Sequence, residues 1–216
     1  MVISFPRDFP LDGCFTGQTS FEPLYQQTQA ITGGGSVNAA DLGPALWQGE
    51  FETAVLSRAD FGIWQAWLSS LRGSLRMFKG RPPLWKWPQA YPSGFAGLTY
   101  SGSPFSGLSN VSAIGTNRDT VTFNELPNGF VLAPGDYFSI PGATRQHLHR
   151  IIEGGTAASN TLQVTVEPTI MPGITTGIDA LFEAPYCEMV LKDRPRIVRN
   201  VNKGGSIAFT GLQVLI

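Results

Sequence analysis

Few residues of this chain have catalytic or ligating chemistry to offer. His147 and His149 are the only histidines. Standing two apart, they share one face of an extended strand. A zinc-type centre needs a third and usually a fourth ligand. Glu153 and Glu167 have suitable chemistry, but nothing in their spacing selects them. The pair is accounted for by two polar side chains on the solvent or interface face of a strand, with no metal and no cofactor. A Ser or Cys nucleophile needs a base beside it, yet Cys14 and Cys187 sit in no local catalytic signature and the chain has no Gly-x-Ser-x-Gly elbow. Glu50 and Glu52 share a strand face and could serve acid–base chemistry, but solvated strand positions account for them without it. Gly33-Gly34-Gly35-Ser36 lacks the following Lys-Ser/Thr of a phosphate loop and reads as a flexible turn. On these grounds no enzymatic activity is expected.

Two groups suit contact better than catalysis. Trp85, Trp87 and Tyr91 lie in a proline-rich stretch, where they could stack on sugar rings, fill a partner's pocket or lid the neighbouring structure. Arg194, Arg196 and Arg199 form a basic cluster. With Asp193 beside them and a net charge of −1, interface ion pairs suit them better than a nucleic-acid patch. Charged residues make up only 14% of the chain, against roughly 25% in ordinary soluble domains. Weak self-repulsion of this kind is tolerable in a subunit that spends its life in an assembly.

The elements that must position these groups are mostly short strands. An apolar fraction of 42% over 216 residues is enough for a real core. Glycine (25) and proline (16) are spread throughout, as turns between short strands require. Trp47-Gln48-Gly49-Glu50-Phe51-Glu52-Thr53-Ala54-Val55 alternates as a half-buried strand does. Ser57 then offers an N-cap, and Phe61, Trp64, Trp67, Leu68 and Leu71 recur at helical spacing, so a helix is expected over about 58–72 with Gly73 as its left-handed cap. A strand returns over 75–79. Residues 19–31 read as an extended stretch in which Pro23 marks an edge. Residues 80–115, rich in glycine, serine, proline and aromatics, read as a long surface loop or arm. Further strands are expected at 120–124, 137–140, 147–153, 161–167, 186–191, 196–198, 206–209 and 212–215. The expected fold is mainly β, a β-sandwich or barrel, with one amphipathic helix packed on the N-terminal sheet. A β-rich domain at 1–115 would be followed by a β-barrel or β-sandwich domain at 116–216. The thiols of Cys14 and Cys187 read as reduced and buried, with a disulfide as the alternative. No signal peptide and no membrane span are expected, so the product would be made in the cytoplasm.

Several blocks, in order, resemble a family of tail proteins of tailed bacteriophages and prophages. Ala45-Leu46-Trp47-Gln48-Gly49-Glu50-Phe51 leads into Trp64-Gln65-Ala66-Trp67-Leu68-Ser69-Ser70-Leu71-Arg72-Gly73, which is similar to that family's W-x-A-F/W-L-x-x-L-R-G helix. Leu132-Ala133-Pro134-Gly135-Asp136-Tyr137-Phe138 is similar to its L-x-x-G-D-x-F turn, and residues 162–170 to its L-x-V-x-P-x-I/L stretch. The resemblance implies a virion component of the distal-tail or baseplate kind. Such proteins form a ring, commonly hexameric, that continues the tail tube and carries the hub or fibres; no catalytic residue is implied. The partners would be copies of the chain and other tail proteins, and the location the virion tail after assembly in the host cytoplasm. A carbohydrate-binding module of the adsorption apparatus, acting through Trp85, Trp87 and Tyr91, is the alternative.

Overall fold

The alternation around residue 50 and the helical spacing that follows it produce a strand and a helix in the computed structural model, which describes residues 3–16, 18–200 and 204–215. In chain order the elements are β1 (Ser20–Ile31), β2 (Val37–Glu52), α1 (Arg58–Leu71), β3 (Phe78–Gly80), β4 (Thr99–Tyr100), β5 (Ser103–Pro104), β6 (Leu108–Ile114), β7 (Thr120–Asn124), β8 (Val131–Leu132), β9 (Tyr137–Pro141), β10 (Gln146–Glu153), β11 (Gly155–Thr156), β12 (Leu162–Glu167), β13 (Asp179–Leu181), β14 (Cys187–Leu191), β15 (Arg196–Asn200) and β16 (Gly204–Gln213). The fold is mainly β with one α-helix, as the composition predicts.

One sheet has the order β1-β2-β16-β14-β3, with β15 also paired to β16. Helix α1 lies against it. Ser57 caps α1, its hydroxyl accepting from Asp60 N–H at 3.2 Å. The expected stripe Phe61, Trp64, Trp67, Leu68 and Leu71 is the buried one. At the far end Arg72, and not only Gly73, takes the left-handed conformation (φ 51°), closing the helix on the Ser69 carbonyl. Between helix and sheet lies an aromatic cluster. Phe51 and Phe209 stack at 5.1 Å, and Trp67 meets Trp64 at 5.3 Å and Phe78 at 5.4 Å, both edge-on. Room for these rings comes from Gly49 and Gly211, which face each other across β2 and β16. A Cβ on Gly49 would stand 2.5 Å from the Phe51 ring, and one on Gly211 would stand 2.7 Å from Phe78. A methyl at either position would push the floor of the core into its contents.

The second body is a closed barrel in the order β10-β12-β7-β6-β13-β9. Phe123, Phe138 and Phe182 fill it, with Phe123 within 5.1 Å of both others. Strand pairing crosses the boundary expected at residue 115. β6 lies before it but belongs to the barrel, whereas β14, β15 and β16 lie after it and complete the first sheet. The barrel is thus an insertion between β3 and β14. The physical reason is that strand pairing is long-range: β16 buries every second residue, and that alternation demands a buried face without naming the sheet that supplies it. Residues 80–107 also differ from the expected arm. Phe95 and Phe105 are buried in the barrel core, and the short β4–β5 hairpin lies between them. This stretch is a cap, because its aromatic side chains have an open barrel end to cover.

The two bodies are joined at β2 and β10. The Trp47 indole N–H donates to the Leu148 carbonyl at 2.7 Å, its backbone N–H donates to Gln213 Oε1 at 3.0 Å, and its ring packs on Tyr137. Arg150 reaches back from β10 to Glu22 at 2.8 Å. Among the described residues no helix is long and apolar enough to cross a membrane. Replacing Trp47 by Phe keeps most of the apolar volume but leaves the buried Leu148 carbonyl without its donor, so unfolding in denaturant should show a loss of about 1–3 kcal/mol. Leu84→Ser, at a side chain 89% exposed, should stay within about 0.5 kcal/mol. Equal stability of the Phe variant and the parent would mean that this bond does not hold the bodies together.

Candidate functional site

The most distinctive surface is the outer part of the β1–β2 hairpin. β16 pairs with β2 only over Gln48–Glu52, while β1 pairs with β2 all the way to Ile31 and Val37. Beyond residue 46 the two strands therefore leave the sheet as a two-stranded ribbon, turned at Thr32 and Ser36. Its side chains are exposed on both faces almost throughout, including Ile31, Val37 and Leu42 at 77%, 58% and 71%. Among the described residues the outer edge of β1 and the far side of β2 over 37–46 have no strand partner. Such edges are templates for pairing with another chain, and an isolated two-stranded ribbon is at best marginally stable in water. Pro23 does lie on an edge strand, as its sequence position predicts. The ribbon half of β2 escaped sequence reasoning because Asp41-Leu42-Gly43-Pro44 carries turn chemistry; Leu42 and Gly43 nonetheless continue the strand.

At the ribbon's base, where it meets the barrel and the end of β16, lies a cavity of about 850 Å³. His147 and His149 both line it. They share a face of β10, as their spacing predicts, but that face turns into the barrel and both are buried. This corrects the solvent-face expectation. His149 stands opposite Phe138 in the register and stacks on it at 5.5 Å. Its Nδ1 lies 2.7 Å from the Pro168 carbonyl and so carries the proton, leaving Nε2 a buried acceptor with no partner. Burial pushes its pKa down to about 4, the Pro168 bond opposing. His147 is lowered by the same cause, with Glu188 pulling it back. Glu167 also lines the cavity, whereas Glu153 is exposed and accepts a bond from Thr165. Among the described residues no cluster of His, Cys, Asp and Glu could hold a metal ion.

The other candidates fall in separate places. Trp85 is half-buried and tilts against Tyr137 at 6.1 Å. Lys86 covers the Trp87 ring at 4.6 Å. Tyr91 stacks on Phe130 at 4.8 Å, and its hydroxyl accepts from Val131 N–H. Arg194, Arg196 and Arg199 are exposed, and among the described residues none of them forms an ion pair. Arg194 and Arg196 share a shallow groove of about 240 Å³ with Glu50, Glu52 and Asp193. Cys14 and Cys187 are both free thiols, and burial holds the Cys187 thiol well above its ordinary pKa. Sequence reasoning assigned no role to Asp136, which is wholly buried. Its two oxygens accept from the backbone N–H groups of Gln89 and Ala133 at 2.9 and 2.8 Å, clamping the cap to the barrel. The signal was present in the Pro134-Gly135-Asp136 turn, where an Asp side chain can bond back onto its own turn.

No family model and no curated protein matches this chain in sequence.

The buried imidazole gives the molecule an acid dependence of definite sign. In the unfolded chain His149 takes up a proton below about pH 6.5, and in the folded chain only below about 4. Through that window the unfolded state binds more protons, so stability should fall as pH drops from 6.5 towards 4 and level off below, by about 3 kcal/mol in all. His147 acts in the same direction, while Asp136, whose carboxyl burial pushes up, opposes both at the acid end. Denaturant melts at pH 7 and 4.5 should show the loss, and His149→Gln should flatten it. A parent protein equally stable at both pH values would rule out the buried neutral imidazole.

Proposed function

We propose that this chain is a structural subunit of a bacteriophage tail, a ring-forming distal-tail or baseplate component that joins the tail tube to the hub or fibres. The observation that carries the proposal is the projecting β1–β2 ribbon with its two unpaired edges and exposed Ile31, Val37 and Leu42. A ring of identical subunits needs two different faces that meet head-to-tail and close by rotation. The ribbon supplies two such faces, the outer edge of β1 and the far side of β2. A charge content of 14% leaves little repulsion between copies. The ordered blocks shared with phage tail proteins support the same role, and three of them coincide with structural joints. Trp47 links sheet to barrel, the Trp64–Gly73 block packs the helix on the sheet, and the Asp136 turn clamps the cap. The role proposed is architectural and not catalytic.

Purified protein should give closed rings by negative-stain electron microscopy and a single oligomer, a hexamer on the family's pattern, by native mass spectrometry. Replacing residues 28–40 by Asn-Gly would join Gln27 to Asp41, already register partners, through a two-residue hairpin turn. This shortened chain should keep the parent's melting behaviour and lose assembly. A parent that stays monomeric at high concentration, or a shortened chain that still forms rings, would overturn the proposal.

A further inference from the structure

Opposite ends of the sheet carry complementary features that the single chain leaves unmatched. Register places Arg196 beside Ala208 and Ala208 beside Glu52. Asp41 lies eleven residues farther along β2, about 35 Å away at 3.3 Å per residue. At the near end β15 is an exposed strand paired on one side only, to β16. Alternate residues Ile197 and Arg199 share one face of it; Ile197 is 41% exposed, and Arg199 forms no ion pair among the described residues. Unlike Arg194 and Arg196, Arg199 has no place in the groove with Glu50 and Glu52.

At the far end is the cavity beneath the ribbon. Its walls include Pro44, Leu148, Met171 and Pro172, and its charges are Asp41 and Glu167, with no lysine or arginine among its lining residues. Arg150 faces Glu167 in the β10–β12 register but turns to Glu22. Among the described residues Asp41 is bonded only by the neutral Gln27 side chain, at 2.7 Å. An apolar cleft rimmed by carboxylates fits a guest with an aliphatic body and a cationic head.

We propose that the guest is β15 of a second copy, with Ile197 against the apolar wall and the Arg199 guanidinium on Asp41 and Glu167. The proposal rests on the self-assembly proposed above and specifies one of its contacts. Because donor strand and cavity lie at opposite ends of the sheet, the contact is head-to-tail and leaves a free copy of each face for the next subunit.

The experiment compares self-association of the parent with Arg199→Glu, Asp41→Lys and Ile197→Ser, by sedimentation over a concentration series, with thermal melts as folding controls. All three side chains are exposed, so the melts should match the parent. Each charge reversal should weaken association about tenfold or more, because it places like charges together at a desolvated contact. The Arg199→Glu/Asp41→Lys double variant should associate several-fold more tightly than either single charge reversal, yet below the parent because Glu167 still opposes the carboxylate at position 199. Failure of that recovery, or assembly indifferent to Arg199, overturns the proposal while leaving self-assembly standing. Weakening by Asp41→Lys alone assigns the cavity to some other guest and overturns it equally. A parent monomeric at every concentration removes both this contact and the ring.

Discussion

Trp47 is bonded to the sheet's last strand through its backbone N–H and to the barrel through its indole N–H, at a joint where Tyr137 and Leu148 of the barrel also pack into the sheet's core and Arg145 pairs with Glu188 of β14. Trp47 can make both bonds because it sits on the helix-backed sheet where β2 leaves β16 and starts outward as the ribbon. Everything distal depends on that point. The cavity lies between the ribbon's base and the barrel, beside this joint, and the ribbon starts from it. Glu22 and Arg150 add a further tie close by, but that pair is exposed on the Glu22 side and contributes little by comparison with a buried bond.

Local patterning made one body legible and hid the connectivity. Phe61, Trp64, Trp67, Leu68 and Leu71 announce α1 because a helix on a sheet must be apolar along one stripe only. β7 and β12 could be read because each keeps a clean alternation. β6 could not: Leu108-Ser109-Asn110-Val111-Ser112-Ala113-Ile114 is serine-rich, and its buried Ser109 is satisfied by donating its hydroxyl to the Asn124 carbonyl at the end of the neighbouring β7. That kind of satisfaction is long-range and leaves no trace in spacing. The same holds for the return of β14–β16 to the first sheet, since a strand's sequence specifies that a face is buried but not which sheet buries it.

The candidate site was legible in type and not in setting. Two histidines two residues apart on a strand share a face whatever the fold, yet whether that face meets solvent or Phe138 is decided by barrel closure. Trp85, Trp87 and Tyr91 sit in a proline-rich stretch that suggests exposure, but an open barrel end offers large rings more burial than water does. Arg194, Arg196 and Arg199 are exposed and form no ion pair among the described residues, although Arg194 and Arg196 share a groove with Glu50, Glu52 and Asp193. The ribbon itself was invisible as a ribbon, since its composition is that of a loop and only pairing with β1 makes it a strand.

That last feature bears directly on what the molecule is for. A ribbon of glutamine, threonine and glycine with Ile31, Val37 and Leu42 exposed gains nothing for the monomer: its apolar groups stay in water and its outer edges stay unpaired. Ordering its backbone costs about 1–2 kcal/mol per residue, a cost that burial against the chain's own core does not offset. In the proposed assembly the compensation comes from a neighbouring copy. A solvent-exposed arm of low charge, rooted on a rigid double joint, has the properties of an element folded for a neighbour. The contact proposed above matches the two ends of the sheet to each other, the basic strand of one copy meeting the acidic cleft of the next.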